Sequence, residues 1–322
     1  MGYDLTAVYG YWMANQRRYR LRWVDVFTER PLLGNPLAVV LEADGLSDIE
    51  MQAIARETNL SETTFVLPPQ TRGHAAKVRI FTPHVELPFA GHPTVGTGWA
   101  LIDEGLVGSD ATAFTLEEAV GPIPVRVDRA GRSLVLWMSH PPVTFGEVIE
   151  EREDIAAALG LTPADLQPNV PMQVASTGVP FVYVALKDAA SVDRAVSRGD
   201  ALTAVLDPHG LPPVFLFAAV GPNRLYSRMF GPHSATRIGE DPATGSASGP
   251  LGAFAVRYGL IPRAAQVAII SEQGTKMGRQ SVIHIALEYP NDGEVPSRIE
   301  VGGSVVPVMT AELSVAGLAL RT

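Results

Sequence analysis

The 322-residue chain has no cysteine. That excludes disulfides, thiolate metal sites and any cysteine acting as acid, base or nucleophile. Lysine is nearly missing too, present only at Lys77, Lys187 and Lys276. A Schiff-base lysine for pyridoxal phosphate is therefore poorly supported. No basic stripe suggests nucleic acid, and the net charge is −9, from 34 acids against 25 bases. Long apolar runs are lacking as well. Val179–Leu186 and Val214–Val220 are strand-length, far short of the ~20 residues of a membrane span. No apolar signal-peptide core stands at the N-terminus. The expectation is a cytoplasmic protein with neither nucleic acid nor membrane as partner. Seven histidines show no His-x-x-x-His spacing, so no metal site is expected.

The remaining composition is globular, with 46% apolar and 18% charged residues, and the length suggests about two domains. Residues 1–20, rich in tyrosine and ending in Arg17-Arg18-Tyr19-Arg20, read as a poorly ordered extension. From Leu21 the pattern becomes regular. Leu21–Phe27, Leu37–Leu41, Thr63–Leu67 and Ala76–Phe81 read as strands. Ser47-Asp48-Ile49-Glu50 is a capping box opening a helix that ends near Thr58.

An internal echo organises the whole. Arg79-Ile80-Phe81-Thr82-Pro83 resembles Arg228-Met229-Phe230-Gly231-Pro232, and His92-Pro93-Thr94-Val95-Gly96-Thr97 resembles Asp241-Pro242-Ala243-Thr244-Gly245-Ser246. Both pairs lie 149 residues apart (228 less 79, 241 less 92). Each copy runs through small and apolar residues to a Gly-Leu stop, Gly105-Leu106 and Gly259-Leu260. Two matches in one register argue for a duplicated domain. Proline suits a first helical turn, so helices are expected over about 93–105 and 242–258. Their apolar residues run nearly all round, as in buried helices. Each half should wrap strands about one such helix, with both N-termini facing a shared cleft.

Those helix starts offer unpaired N–H groups to an anion; on spacing alone, close packing by small residues explains them equally well. His92 and Asp241 stand one residue before each proline. Asp241 reads plainly as an N-cap, and together the two read as an acid/base or orienting couple. Glu62, between a helix and an apolar strand, reads either as an exposed turn residue or as a carboxyl whose pKa is raised by a core edge. Ser246 is either a first-turn hydroxyl for a carboxylate or simply small. Gly245-Ser246-Ala247-Ser248-Gly249 misses the Gly-x-Ser-x-Gly spacing of a nucleophile elbow. The Lys276 segment is not a P-loop.

Several blocks resemble the PhzF family, the phenazine-biosynthesis isomerase and its relatives. They include Gly34-Asn35-Pro36-Leu37-Ala38-Val39, Asn59-Leu60-Ser61-Glu62-Thr63, Ala90-Gly91-His92-Pro93-Thr94, Ser176-Thr177-Gly178, Glu240-Asp241-Pro242-Ala243-Thr244-Gly245-Ser246 and Val301-Gly302-Gly303. The resemblance runs from about Leu21 to Leu313. It implies an α+β fold of diaminopimelate-epimerase type: two pseudo-symmetric halves, each a mostly antiparallel β-barrel wrapped around a central helix. The halves would span 21–140 and 141–304, with strand 305–322 packing back on the first. Two-cysteine racemisation, used elsewhere in that superfamily, is excluded here. The resemblance implies Glu62 as the acid/base glutamate and His92, Asp241 and Ser246 as pocket residues; Glu62, His92 and Asp241 are expected to be catalytic, and Ser246 with the helix-start amides at Gly91 and Gly245 to bind the substrate. It also implies a homodimer, no cofactor and a small carboxylate-bearing substrate whose proton and double bond move. A ligand-binding or regulatory protein of the same fold without turnover is the alternative.

Overall fold

The computed structural model describes residues 16–316 apart from 132, 211, 232–238 and 292. The first half contains β1 (Gln16–Val26), β2 (Asn35–Val40), α1 (Asp48–Thr58), β3 (Thr63–Leu67), β4 (Ala76–Phe81), β5 (Glu86–Leu87), α2 (Gly91–Asp103), β6 (Ala113–Glu118), β7 (Gly121–Asp128) and β8 (Val135–Ser139). The second contains β9 (Thr144–Ile149), α3 (Arg152–Ala158), β10 (Met172–Ser176), β11 (Pro180–Ala185), α4 (Ala189–Arg194), α5 (Gly199–Leu206), β12 (Val214–Gly221), β13 (Arg224–Phe230), β14 (Glu240–Asp241), α6 (Gly245–Arg257), β15 (Gln266–Gln273), β16 (Ser281–Glu288) and β17 (Arg298–Ala316).

Strands β1, β2, β3, β4, β6, β7, β8 and β17 pair in a closed ring, mostly antiparallel, with parallel contacts at β2–β3 and β4–β6. Helix α2 fills it. Val95 and Leu101 are buried against Val24, Leu37, Leu116 and Leu136. The second half repeats the scheme around α6, with parallel contacts at β11–β12 and β13–β15. There Leu251 and Phe254 are buried among Tyr183, Phe217 and Ile285. Burying one side chain of this size contributes about 1.5–3 kcal/mol. Strand β17 serves both halves, pairing with β16, β8 and β1.

The duplication extends to side chains. Arg79 forks onto Glu86 through two hydrogen bonds of 2.7 Å, and Arg228 does the same to Glu240 at 2.7 and 2.8 Å. The repeat register nevertheless changes between strand and helix. Helices α2 and α6 open at Gly91 and Gly245, which lie 154 residues apart (245 less 91), as do the Gly-Leu stops. Pro93 sits in the first turn of α2, but Pro242 precedes α6 by three residues. The x-Pro echo thus aligns a helix with a strand-to-helix junction. His92 and Asp241 are not equivalent, and Asp241 is not an N-cap: Thr244 holds that place, and the counterpart of His92 is Ser246.

A second correction concerns residues 16–20, which belong to β1 and pair from Gln16↔Ala316 to Arg20↔Glu312. The basic run alternates as a strand does: Tyr19 and Leu21 are buried while Arg18 and Arg20 are exposed. Arg18 pairs with Glu312, and Arg17 with Glu50. Residues 1–15 of the expected extension lie outside the described residues. The strands expected at 37–41, 63–67 and 76–81 are β2, β3 and β4. The box at Ser47 caps α1 reciprocally, Glu50 N donating to Ser47 Oγ and Ser47 N to Glu50 Oε2.

Candidate active site

Helix α1 stops at Asn59, whose left-handed φ of 51° turns the chain toward β3. The turn leaves Ser61 and Glu62 at the helix–strand junction, and Glu62 is buried there. Asn35 opens β2 directly after Gly34, whose φ is 70° and where any Cβ would lie 2.3 Å from the Val26 carbonyl oxygen. That turn is tied to the second half, since Arg279 Nε donates to Gly34 O at 3.0 Å and the Arg279 guanidinium pairs with buried Asp25.

From these positions four side chains of different elements converge. His92 Nε2 lies 3.5 Å from Glu62 Oε2. The Asn35 amide nitrogen lies 3.2 Å from His92 Nδ1 and donates to Asp241 Oδ1 at 2.9 Å and to Ala243 O at 3.0 Å. Ser61 Oγ donates to Asn35 Oδ1 at 3.2 Å. Thr244 Oγ1 donates to Asp241 Oδ2 at 2.6 Å. Gln273, at the end of β15, fastens the segment behind: its amide donates to Asp241 O at 2.8 Å and accepts from Thr244 N at 3.1 Å. Asn35, Ser61, Asp241, Pro242, Met277 and Arg279 line a cleft of about 450 Å³ between the halves.

Charge distributes unequally among these groups. Both oxygens of Asp241 receive donors, which stabilise its carboxylate against a burial that pushes its pKa up. Burial, and next the charge on Asp241, push Glu62 up to about 8. Burial holds His92 down to about 3. His92 is therefore neutral at ordinary pH. Its Nδ1 lies 3.2 Å from the Asn35 amide nitrogen, whose two hydrogens are given to Asp241 Oδ1 and Ala243 O, and its Nε2 faces Glu62. Glu62 Oε2 and His92 Nε2 are both buried and lack a hydrogen-bond partner among the described residues. One exchangeable proton on Glu62, a neutral imidazole beside it and a fixed carboxylate beyond form a proton-transfer group.

The two helix starts meet close by. A Cβ on Gly91 would lie 2.6 Å from Ser246 N and 2.7 Å from Gly245 Cα, so backbone touches backbone. The amides of Gly91, His92, Gly245 and Ser246 fall before the intrahelical ladder. Neither first turn contains an acidic residue, and neither N-cap side chain bonds the helix. Two positive helix ends thus converge, and the Asp241 carboxylate accepts from the N-cap hydroxyl of α6 at 2.6 Å.

The structure brings Glu62, His92 and Asp241 together, joined through Asn35 and not by direct contact of His92 with Asp241. Gly91, Gly245 and Ser246 gather at the paired helix starts. Sequence reasoning missed Asn35, Thr244 and Gln273. Asn35 stands in the PhzF-like block Gly34-Asn35-Pro36 with no role to mark it, because its partners are brought in by other elements. Asn35→Ala would strip a donor from buried Asp241 and Ala243. It should cost about 1–3 kcal/mol, read as a lowered melting temperature; an unchanged one would mean that Asp241 finds its donors elsewhere.

Comparison with known proteins bears on the family and the fold. The family model described as phenazine biosynthesis-like protein, PhzC-PhzF, matches residues 24–311. Trans-2,3-dihydro-3-hydroxyanthranilate isomerase from Pseudomonas aeruginosa is 38% identical over 281 residues, covering 87% of this chain and 94% of the relative. The crystal structure of a PhzF-family phenazine biosynthesis protein from Bacillus anthracis superposes with a TM-score of 0.84 at 27% identity, covering 92% of this chain and 99% of the other. A hydroxyproline epimerase from Agrobacterium vitis shares the fold, with a TM-score of 0.64 at 13% identity over 94% of each chain.

Proposed function

We propose that this chain, which belongs to the PhzC-PhzF phenazine biosynthesis-like family and is an isomerase, moves a proton and a double bond on a small carboxylate-bearing metabolite, with Glu62 as the proton carrier. The single observation that carries the reading is the buried Glu62 carboxyl, pushed up to about 8 and left with an oxygen unpartnered beside neutral His92. Ligand binding alone has no use for a titratable group so placed, whereas proton transfer needs a pKa near the working pH. In the proposed cycle the Glu62 carboxylate removes a proton from an activated carbon and the resulting acid returns it to another carbon of the same molecule. Asp241 and His92 orient an amine or hydroxyl of the substrate. Ser246 and the amides at Gly91 and Gly245 hold its carboxylate, and that charge opposes the helix ends. The cycle is closed in protons and electrons, so it calls for no cofactor.

The similarity to trans-2,3-dihydro-3-hydroxyanthranilate isomerase makes that amino- and hydroxyl-bearing carboxylate the first compound to test. Incubation in D₂O, followed by proton NMR, should show a relocated double bond. Compound that binds and returns unchanged, with no exchange, would instead favour the binding-protein reading.

We further propose a homodimer in solution, and light scattering at micromolar concentration should give twice the 34.4 kDa chain mass; the mass of a single chain would end that proposal. Among the described residues no helix is long and apolar enough to cross a membrane.

A further inference from the structure

Glu118 ends β6 and is buried outside the proton-transfer group. The adjacent Glu117 turns away, accepting from Gln70 N and Thr71 N and lying 2.8 Å from His74 Nδ1. One Glu118 oxygen lies 2.5 Å from Thr94 Oγ1, and the other has no partner among the described residues. Thr94 Oγ1 also lies 2.7 Å from Ala90 O.

Hydrogen counting decides between these contacts. A threonine hydroxyl has one hydrogen, and a carbonyl oxygen has none to give. The second half shows where the hydrogen goes. Ser248, the counterpart of Thr94 in the 154-residue helix register, donates to Thr244 O at 3.0 Å, and Thr244 is the counterpart of Ala90. Thr94 therefore donates to Ala90 O, and the contact with Glu118 must take its hydrogen from the carboxyl. We infer that Glu118 is held as a neutral carboxylic acid that donates to Thr94, a positioning residue for the first turn of α2 and so for His92.

The sheet supplies an independent argument. Strand β6 runs parallel to β4 with Lys77 opposite Glu117, as β15 runs parallel to β13 with Tyr226 opposite Glu272. Lys77 and Tyr226 share the 149-residue strand register, so Glu118 and Gln273 are counterparts. Gln273 uses its neutral amide to donate to Thr244 Oγ1 at 3.0 Å. Both strand ends thus reach a hydroxyl near the start of a central helix, Gln273 at the N-cap Thr244 and Glu118 one turn further on at Thr94. Burial pushes Glu118 up to about 8, opposed only by the Thr94 bond, and no charged neighbour contributes.

Infrared difference spectroscopy of the full chain at pH 7, wild type against Glu118→Gln, tests the protonation directly and needs no substrate. The expected result is loss of a protonated-acid carbonyl band; a difference confined to carboxylate bands would overturn the inference. Thr94→Val should shift that band without removing it, and an unshifted band would remove Thr94 as the acceptor. The positioning role rests on the proposed reaction and is read separately. Glu118→Gln, whose amide can donate, should keep kcat, while Glu118→Met, of similar length without a donor, should lower kcat with KM little changed. Equal kcat in the two variants would overturn positioning while leaving both the spectroscopic result and the role of Glu62 standing.

Discussion

Glu62→Gln should lower turnover by roughly 10²-fold or more, while the affinity of a non-reacting substrate analogue changes little. Glutamine keeps the length and the hydrogen-bonding capacity of the side chain, so it can occupy the junction between α1 and β3 and still face His92 Nε2. It cannot accept and release a proton. Loss of kcat without loss of binding marks a group whose contribution is confined to the transition state. Steady-state kinetics together with calorimetric binding of the analogue separate the two quantities. Near-normal turnover would place the proton carrier elsewhere, and Asp241 with His92 would be the remaining pair.

Gly91→Ala should be more damaging to the fold and comparably damaging to activity. The added methyl would meet the backbone of Gly245 and Ser246 at 2.6–2.7 Å, and neither helix start can yield as a flexible side chain would. Helices α2 and α6 would have to separate, which puts the destabilisation at about 1–3 kcal/mol by analogy with other overpacked sites. Displacing His92 and the anion-facing amides by about 1 Å can cost roughly 10²-fold in rate. Gly245→Ala should be milder, because its methyl would stand 3.1 Å from Gly91 Cα and from the Phe27 ring. Melting curves and turnover of both variants check the order; equal behaviour of Gly91→Ala and wild type would mean that the helix starts do not meet as described.

The two-half architecture was legible because it repeats. Two Arg-x-Phe-x-Pro segments, two glycine-rich apolar helices and two Gly-Leu stops mark the same elements twice. The register error at Pro242 arose because proline is at home both in a first helical turn and in an approach to it, and the local pattern does not separate those places. The Gly-Leu stops, 154 residues apart, carried the correction: the helices follow their own register, five residues longer than that of the preceding strands. Gln16–Arg20 looked like a basic tail because exposed arginines outnumber the inward residues. Its strand character depends on pairing with residues 312–316, nearly three hundred positions away.

The candidate site divides in the same way. Glu62, His92, Asp241, Ser246, Gly91 and Gly245 stand in short, distinctive blocks and were named from them. Asn35 and Gln273 act through long-range geometry. Asn35 reaches Asp241 across 206 positions of sequence, and Gln273 reaches it across 32. Neither spacing has a helical or strand period that a sequence pattern could reveal. The altered acidities also come from burial, which is set by the closing of two halves over the junction.

The pH dependence of kcat/KM for the wild-type chain bears most directly on Glu62 as the base. Only its carboxylate can take the substrate proton, and burial with the nearby Asp241 charge raises its pKa to about 8. That profile reports the free enzyme, so kcat/KM should climb with rising pH to a midpoint near 8, and Asp241→Asn should move the midpoint lower by removing the neighbouring charge. A profile flat from about pH 6 to 9, or a midpoint that Asp241→Asn leaves in place, would contradict Glu62 as the proton carrier in this site.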